Sequence, residues 1–283
     1  MNRTVGIIGA GTMGGGIAQV AALSGFEVVL HDVSGGALAS CMERIKADIR
    51  ASMKKGTTTA TEATEALTRI RPRDAFNDLG AADIVIEAAV EDLAVKKEIF
   101  RALDGIVAPR AVLATNTSSL SITSIGSLTR TPESVVGMHF FNPPVKMKLI
   151  EIVRGSRTSD ETVRTVHEAA LAMGKIPVLC SDTPGFIVNR VARPFYGEAL
   201  RMLGEGTATA EQIDRIARLS GGFRMGPFEL MDLIGIDVNY AVSRSVYEQF
   251  FQEPRFRPHP IQRAMVEAGT LGRKTGRGFY TYE

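Results

Sequence analysis

The 283-residue chain has no tryptophan, only two cysteines, and aromatic residues at 6% of its positions. Cys41 and Cys180 stand far apart and form no Cys-x-x-Cys pair. That excludes a disulfide framework and a cysteine zinc site, and no metal is expected. Neither sign of charge is in excess: 33 Lys and Arg against 31 Asp and Glu give a formal net charge of +2. A general nucleic-acid binder would concentrate Lys and Arg on one face, so this balance excludes nucleic acid as a general partner. No run of about 18 apolar residues occurs, so no membrane-spanning helix is expected. The first residues, Met-Asn-Arg-Thr and then Val5-Gly6-Ile7-Ile8-Gly9, lack the apolar region and small-residue cleavage site of a signal peptide. A cytoplasmic location is the expectation.

What remains is a globular composition, 45% hydrophobic and 23% charged. A chain of this length removes roughly 75% of its unfolded surface from water and needs no covalent staple. Glycine is over-represented at 28 residues, where an average share would give about 20. The surplus clusters at residues 6–16 and 204–226.

Through about residue 180, short β-branched runs alternate with longer amphipathic stretches. Strands are expected at Thr4–Ile8, Glu27–His31, Asp83–Glu87, Ala111–Ala114, Val135–Phe140, Leu149–Val153 and Ile176–Leu179. Helices are expected at Met13–Ser24, Gly36–Lys55, Leu93–Asp104, Ser121–Leu128 and Glu161–Met173. Ile84-Val85-Ile86 is apolar at every position, as in a parallel sheet covered on both faces. The alternation argues for an α/β, Rossmann-type doubly wound domain. The Thr- and Ala-biased stretch 57–64 reads as a solvated loop or helix edge. After Asp182-Thr183-Pro184-Gly185 the apolar residues fall at helical spacing, with few strand signals before Phe279-Tyr280. Two domains are therefore expected: 1–183, doubly wound, and 184–283, smaller and all-helical.

Gly9-Ala10-Gly11-Thr12-Met13-Gly14 follows the first expected strand directly and opens a helix. In such a G-x-G-x-x-G turn, Gly9 permits the tight bend and Gly11 lets the backbone approach a pyrophosphate. Gly14 lets helix and strand pack closely. The motif alone is weak evidence, but Asp32 ends the second strand 18 residues after Gly14, close to the ≈20 expected of a ribose-binding carboxylate. A carboxylate there accepts the ribose hydroxyls of NAD and repels the 2′-phosphate of NADP. The alternative, a glycine turn with a surface Asp, leaves the combination unexplained.

Asn116-Thr117-Ser118-Ser119 follows one expected strand, and His139-Phe140-Phe141-Asn142-Pro143-Pro144 ends another. Glu151 lies 12 residues past His139 in the next. Ligand chemistry in open α/β sheets gathers beyond the carboxyl ends of strands, where Ser118, His139 and Asn142 would sit. Of the four histidines, His31 reads as a strand-end residue, His167 falls in a helical run and His259 in a Pro-rich segment. That leaves His139 to meet a nicotinamide ring. Oxidising an alcohol with NAD needs a base for the hydroxyl proton, a task suited to imidazole. A carboxylate on the far ring nitrogen, Glu151, would fix the tautomer and stabilise the imidazolium. In isolation a His–Glu pair is more often a structural hydrogen bond; its place beside a nucleotide fold favours chemistry.

These residues, with Glu91, Lys96, Asp182-Thr183-Pro184-Gly185-Phe186-Ile187-Val188-Asn189-Arg190, Gly226-Pro227-Phe228-Glu229-Leu230 and Gly272-Arg273-Lys274-Thr275-Gly276, occur in one order along the whole chain. The chain resembles the NAD-dependent L-3-hydroxyacyl-CoA dehydrogenases and is similar in size to the short-chain 3-hydroxybutyryl-CoA members. The resemblance implies an oxidoreductase of fatty acid metabolism and β-oxidation that interconverts (S)-3-hydroxyacyl-CoA and 3-ketoacyl-CoA. It implies His139 as general base, Glu151 as its partner, Ser118 on the substrate's 3-oxygen and near the nicotinamide, and Asn189 completing the site. Gly9, Ala10, Gly11, Thr12, Met13, Gly14, Asp32, Glu91, Lys96, Ser118, Asn142 and Lys274 match cofactor-contacting positions. Lys55, with Lys54 beside it, matches a position that holds CoA phosphates. A homodimer built on the helical domain is implied as well.

Several of these roles have plainer alternatives. Lys54 and Lys55 also suit a solvated helix end, and Glu91 with Lys96 could be a surface charge pair worth little. Lys274 suits a turn. Two positions depart from the family's pattern: Lys146 stands in a step that is apolar in many short-chain members, and Asp48 stands where a CoA-contacting Ser is common. The Gly222-Phe223-Arg224-Met225-Gly226 run resembles members that act on 3-hydroxyadipyl-CoA in aromatic-acid degradation, and Arg224 or Lys146 could meet a terminal carboxylate. 3-Hydroxybutyryl-CoA is the expected substrate, 3-hydroxyadipyl-CoA the alternative. A 6-phosphogluconate-type β-hydroxyacid dehydrogenase shares the glycine turn but uses a catalytic Lys and lacks His-Phe-Phe-Asn-Pro. A non-catalytic, crystallin-like NAD-binding protein would not need Ser118, His139, Glu151 and Asn189 together.

Overall fold

A computed structural model describes residues 3–282, and the chain divides into two compact units that meet in sequence at Thr183 and Pro184. The first holds eight strands: β1 (Thr4–Ile8), β2 (Glu27–His31), β3 (Ile70–Arg73), β4 (Ile84–Glu87), β5 (Val112–Thr115), β6 (Val135–Phe140), β7 (Leu149–Arg154) and β8 (Ile176–Ser181). Its helices are α1 (Thr12–Leu23), α2 (Gly35–Lys54), α3 (Ala60–Arg69), α4 (Leu93–Asp104), α5 (Ile122–Gly126) and α6 (Asp160–Ala172). The sheet order is β3-β2-β1-β4-β5-β6-β7-β8. The six strands from β3 to β6 are parallel, β7 runs antiparallel to β6, and β8 is parallel to β7. This is a Rossmann-type domain: the order turns back at β1 and β4, placing the glycine turn after β1 where a nucleotide crevice opens.

β4, β5 and β6 are buried at every position, as strands covered on both faces must be. Val5, Ile7, Ile86, Val136 and Met138 from the sheet pack with Ile17 of α1 and Val166 of α6 in one core. Gly137 packs so tightly that a Cβ there would stand 2.7 Å from Val153.

The sequence leaves one element of this unit open, as loop or helix edge, and misses another. The 57–64 stretch leads into the ten-residue α3: Thr59 accepts from Glu62 N–H and Glu62 accepts from Thr59 N–H, a reciprocal cap. The edge strand β3, Ile-Arg-Pro-Arg, follows at once. Pro72 and two arginines hide its pattern, and a sheet edge is where Pro is tolerated.

The second unit is helical: α7 (Val188–Gly204), α8 (Ala210–Leu219), α9 (Pro227–Ile234), α10 (Ile236–Gln249) and α11 (Pro260–Glu267). Tyr196, Leu200, Ile213, Phe228 and Met231 form its core. Phe279-Tyr280 is not a strand. Its backbone N–H groups donate to the buried Asp232, each at 3.0 Å, and Tyr280 Oη donates to the buried Asp214 at 2.8 Å. Carboxylates, not a sheet, thus tie the last residues to this unit.

Candidate active site

The antiparallel register of β6 and β7 sets His139 directly opposite Glu151. Both side chains are buried, and His139 Nδ1 lies 2.7 Å from Glu151 Oε2. A carboxylate can only accept here, so Nδ1 carries the proton. Phe141 leans on the imidazole with ring centroids 4.5 Å apart. The loop from Asn142 to Lys148 is anchored from beneath by the buried Lys175, whose ammonium donates to the carbonyls of Pro144 and of Met147, the latter at 2.9 Å. Burial pushes the Lys175 pKa down. Asn116 accepts from Phe140 N–H at 2.8 Å and so joins the end of β5 to the end of β6. Asn142 itself is exposed on that loop.

Beside this, Glu91 Oε1 accepts from Thr117 Oγ1 at 2.6 Å, Ser118 N–H at 2.8 Å and Ser118 Oγ at 3.1 Å. Ser118 is thereby held beyond β5, on the same sheet edge as His139. Lys96 corrects the surface-pair alternative. Its side chain is 1% exposed, with Nζ 2.7 and 2.9 Å from the two oxygens of Glu87, itself 0% exposed, and 3.4 Å from Glu91. Glu87 also accepts from Ala89 N–H and Thr115 Oγ1. Glu87 was missed in the sequence; its one signal is a carboxylate closing the otherwise apolar Ile84-Val85-Ile86.

The glycine turn fits a dinucleotide. Gly9 has φ +102°, a conformation glycine adopts without strain, and a Cβ on Gly14 would lie 1.8 Å from the Gly9 carbonyl oxygen. A Cβ on Gly11 would meet nothing within 4 Å, and Gly11 opens α1 with no side-chain cap. That leaves the positive end of α1, at Thr12 and Met13, facing open space suited to an anion. Asp32 accepts from Ala10 N–H at 2.7 Å and Ser34 N–H at 2.9 Å, so it shapes the turn as well as standing where a ribose would bind.

The remaining expected residues stand on other elements. Lys54 and Lys55 are exposed at the end of α2. Asn189 is in the first turn of α7, its carbonyl accepting from Arg193. Lys274 is paired with Asp237 at 2.6 Å within the second unit. His31 is buried with Nδ1 3.1 Å from the Arg73 carbonyl, and His259 opens α11. Burial, with the charges of Glu151 and Asp182, pushes the Cys180 thiol up to about 12, so it carries no thiolate at neutral pH. Among the described residues, no group of three or more His, Cys, Asp or Glu gathers as a metal set, and no helix is long and apolar enough to cross a membrane.

Comparison with known proteins matches residues 4–183 to the 3-hydroxyacyl-CoA dehydrogenase NAD binding domain and residues 185–282 to the 3-hydroxyacyl-CoA dehydrogenase C-terminal domain. The chain is 49% identical to a 3-hydroxyadipyl-CoA dehydrogenase of Escherichia coli over 99% of its own length, but spans only 59% of that longer protein. It is 44% identical to a probable 3-hydroxybutyryl-CoA dehydrogenase of Deinococcus radiodurans, covering 98% of this chain and 99% of that one. The crystal structure of (S)-3-hydroxybutyryl-CoA dehydrogenase from Ralstonia eutropha superposes with a TM-score of 0.95 at 43% identity, covering all of both chains.

The Glu87–Lys96 pair yields a stability prediction. Lys96→Met strands a buried carboxylate and should lower the unfolding free energy by about 3–5 kcal/mol, read from urea denaturation. Adding Glu87→Gln should recover most of that loss. Strictly additive losses would mean the two groups do not depend on each other.

Proposed function

The chain belongs to the 3-hydroxyacyl-CoA dehydrogenase family, and from that premise we propose that it catalyses the reversible NAD-dependent oxidation of an (S)-3-hydroxyacyl-CoA to the 3-ketoacyl-CoA. The observation that carries this reading is the buried His139–Glu151 pair, 2.7 Å apart at the carboxyl end of β6. When bound, the nicotinamide dinucleotide would supply the hydride acceptor. His139 Nε2 takes the proton of the substrate hydroxyl during oxidation and returns it to the ketone oxygen during reduction. Glu151 holds Nδ1–H and stabilises the ring while it is charged. Ser118, whose N–H stays held by Glu91, turns its hydroxyl from that carboxylate to donate to the substrate's 3-oxygen, and such oriented donors are worth most in a dry site. The glycine turn from Gly9 to Gly14, Asp32, Glu91, Asn142 and Lys274 bind the cofactor, with the buried Lys96 acting through Glu91, Lys54 and Lys55 bind the CoA phosphates, and Asn189 assists at the substrate.

We assign 3-hydroxybutyryl-CoA as substrate, the name several relatives carry. A second reading, 3-hydroxyadipyl-CoA, is favoured by the name of the 49% identical relative and by the exposed Lys146 on the Asn142 loop. A preference for NAD over NADP is assigned to Asp32. The reading places the protein in the cytoplasm, which the two free thiols fit. A homodimer is proposed on the second unit, as the family resemblance implies, and Val191, Ile216 and Leu219, exposed at 69%, 64% and 74% on α7 and α8, are the apolar residues it would cover.

Two measurements test these statements. Purified protein should oxidise NADH with acetoacetyl-CoA, and His139→Gln should lower kcat by about 10²–10⁴-fold while NADH binding stays near normal. No turnover with acetoacetyl-CoA or 3-ketoadipyl-CoA despite NADH binding would refute the reaction; faster 3-ketoadipyl-CoA turnover would transfer the assignment to the second substrate. Sedimentation velocity at micromolar concentration should show twice the chain mass, and a monomer would retire the dimer.

A further inference from the structure

Arg44, on the third turn of α2, is not among the residues the sequence singles out. Its Nη2 donates to the carbonyl of Ala10 at 2.8 Å, while the N–H of the same residue donates to Asp32 Oδ2 at 2.7 Å. A guanidinium and a carboxylate therefore grip opposite ends of one residue in the glycine turn. Gly11, with open space in front of it, is next in the chain. Arg44 is exposed and forms no ion pair with an Asp or Glu among the described residues. The buried Cys41, one turn earlier on α2, feels both charges: burial raises its thiol pKa, Arg44 lowers it and Asp32 raises it. A guanidinium carries five donors in a fixed fork, so the bonds to the Ala10 carbonyl and to Cys41 leave capacity for an anion.

We propose that Arg44 is a specificity-determining residue of the cofactor site, offsetting the repulsion by Asp32 of a ribose 2′-phosphate so that NADP(H) binds measurably beside NAD(H). The inference rests on the dinucleotide-dependent reading above and concerns only the adenosine end. Asp32 alone would accept the ribose hydroxyls and reject a phosphate; a cation held at the other end of Ala10 supplies the charge-assisted bonds a phosphate seeks. The grip on Ala10 keeps that cation in place when no cofactor is bound. It also ties the nucleotide turn to α2, so removing Arg44 must be read against its effect on both cofactors.

The test is equilibrium binding, not turnover: titration of the protein with NADH and NADPH by nicotinamide fluorescence, and with AMP and 2′-phospho-AMP by calorimetry. In the natural chain NADPH should bind no more than about 30-fold more weakly than NADH. Arg44→Met should weaken NADPH and 2′-phospho-AMP by about tenfold or more, about 1.4 kcal/mol, while NADH and AMP change by less than about threefold. Arg44→Lys, which keeps the charge, should retain most of the NADPH affinity. Equal weakening of phosphorylated and unphosphorylated ligands in Arg44→Met, with circular dichroism unchanged, would reduce Arg44 to a brace for Ala10 and overturn the proposal. So would NADPH binding that ignores the substitution, or Arg44→Met and Arg44→Gln both failing to fold. Absence of NADH binding in the natural chain would instead overturn the underlying dinucleotide reading.

Discussion

One reversal of strand direction governs the candidate site. β1 through β6 run parallel, and had β7 continued that way, a crossover of a dozen or more residues would have separated it from β6. Because β7 turns back, the eight residues from Phe141 to Lys148 suffice, and residues face one another across the pair at short range. His139 and Glu151 meet in this way, buried, with the carboxylate fixed by sheet hydrogen bonding and not by a flexible loop. A buried carboxylate without a donor would be costly; a buried imidazole without an acceptor would be free to choose its tautomer. Each answers the other's need.

The same economy recurs at strand ends on both edges of the sheet. Glu87 gathers Lys96, Thr115 and the Ala89 amide. Glu91 gathers Thr117 and Ser118. Asp182 gathers Ser121 and the amides of Ile122 and Thr123 at the start of α5. Asp32 and Arg44 hold the two ends of Ala10. Loops here have little apolar surface to bury, so charged side chains at strand ends hold their backbone. Such positioning is directional, which oriented chemistry requires and apolar packing alone does not supply.

Much of this was legible in the residues. The doubly wound architecture followed from wholly apolar strands alternating with amphipathic helices, and the nucleotide turn from glycine spacing next to a strand. What escaped notice did so for physical reasons. β3 carries Pro72 between two arginines, so neither alternation nor β-branching marks it. α3 begins in a run of threonines that reads equally as loop or helix edge, because one residue, Thr59, turns solvated chain into a capped helix. For Glu91 and Lys96 the sequence left a surface pair open beside a cofactor role, because five residues of separation says nothing about depth; only the fold places Lys96 against Glu87. Lys175 and Arg44 give no sequence signal, since their partners are backbone carbonyls at 144, 147 and 10, and any residue type carries a carbonyl.

The central claim is that Glu151 fixes the His139 tautomer so that Nε2 faces the chemistry. Nitrogen-15 NMR of the four histidine rings, with His139 assigned by comparison with His139→Gln, tests it without any turnover. The neutral His139 ring should show a protonated Nδ1 and an unprotonated Nε2, and Glu151→Gln should abolish that single-tautomer signature. A ring protonated on Nε2 in the natural chain, or one indifferent to Glu151→Gln, would contradict the assignment.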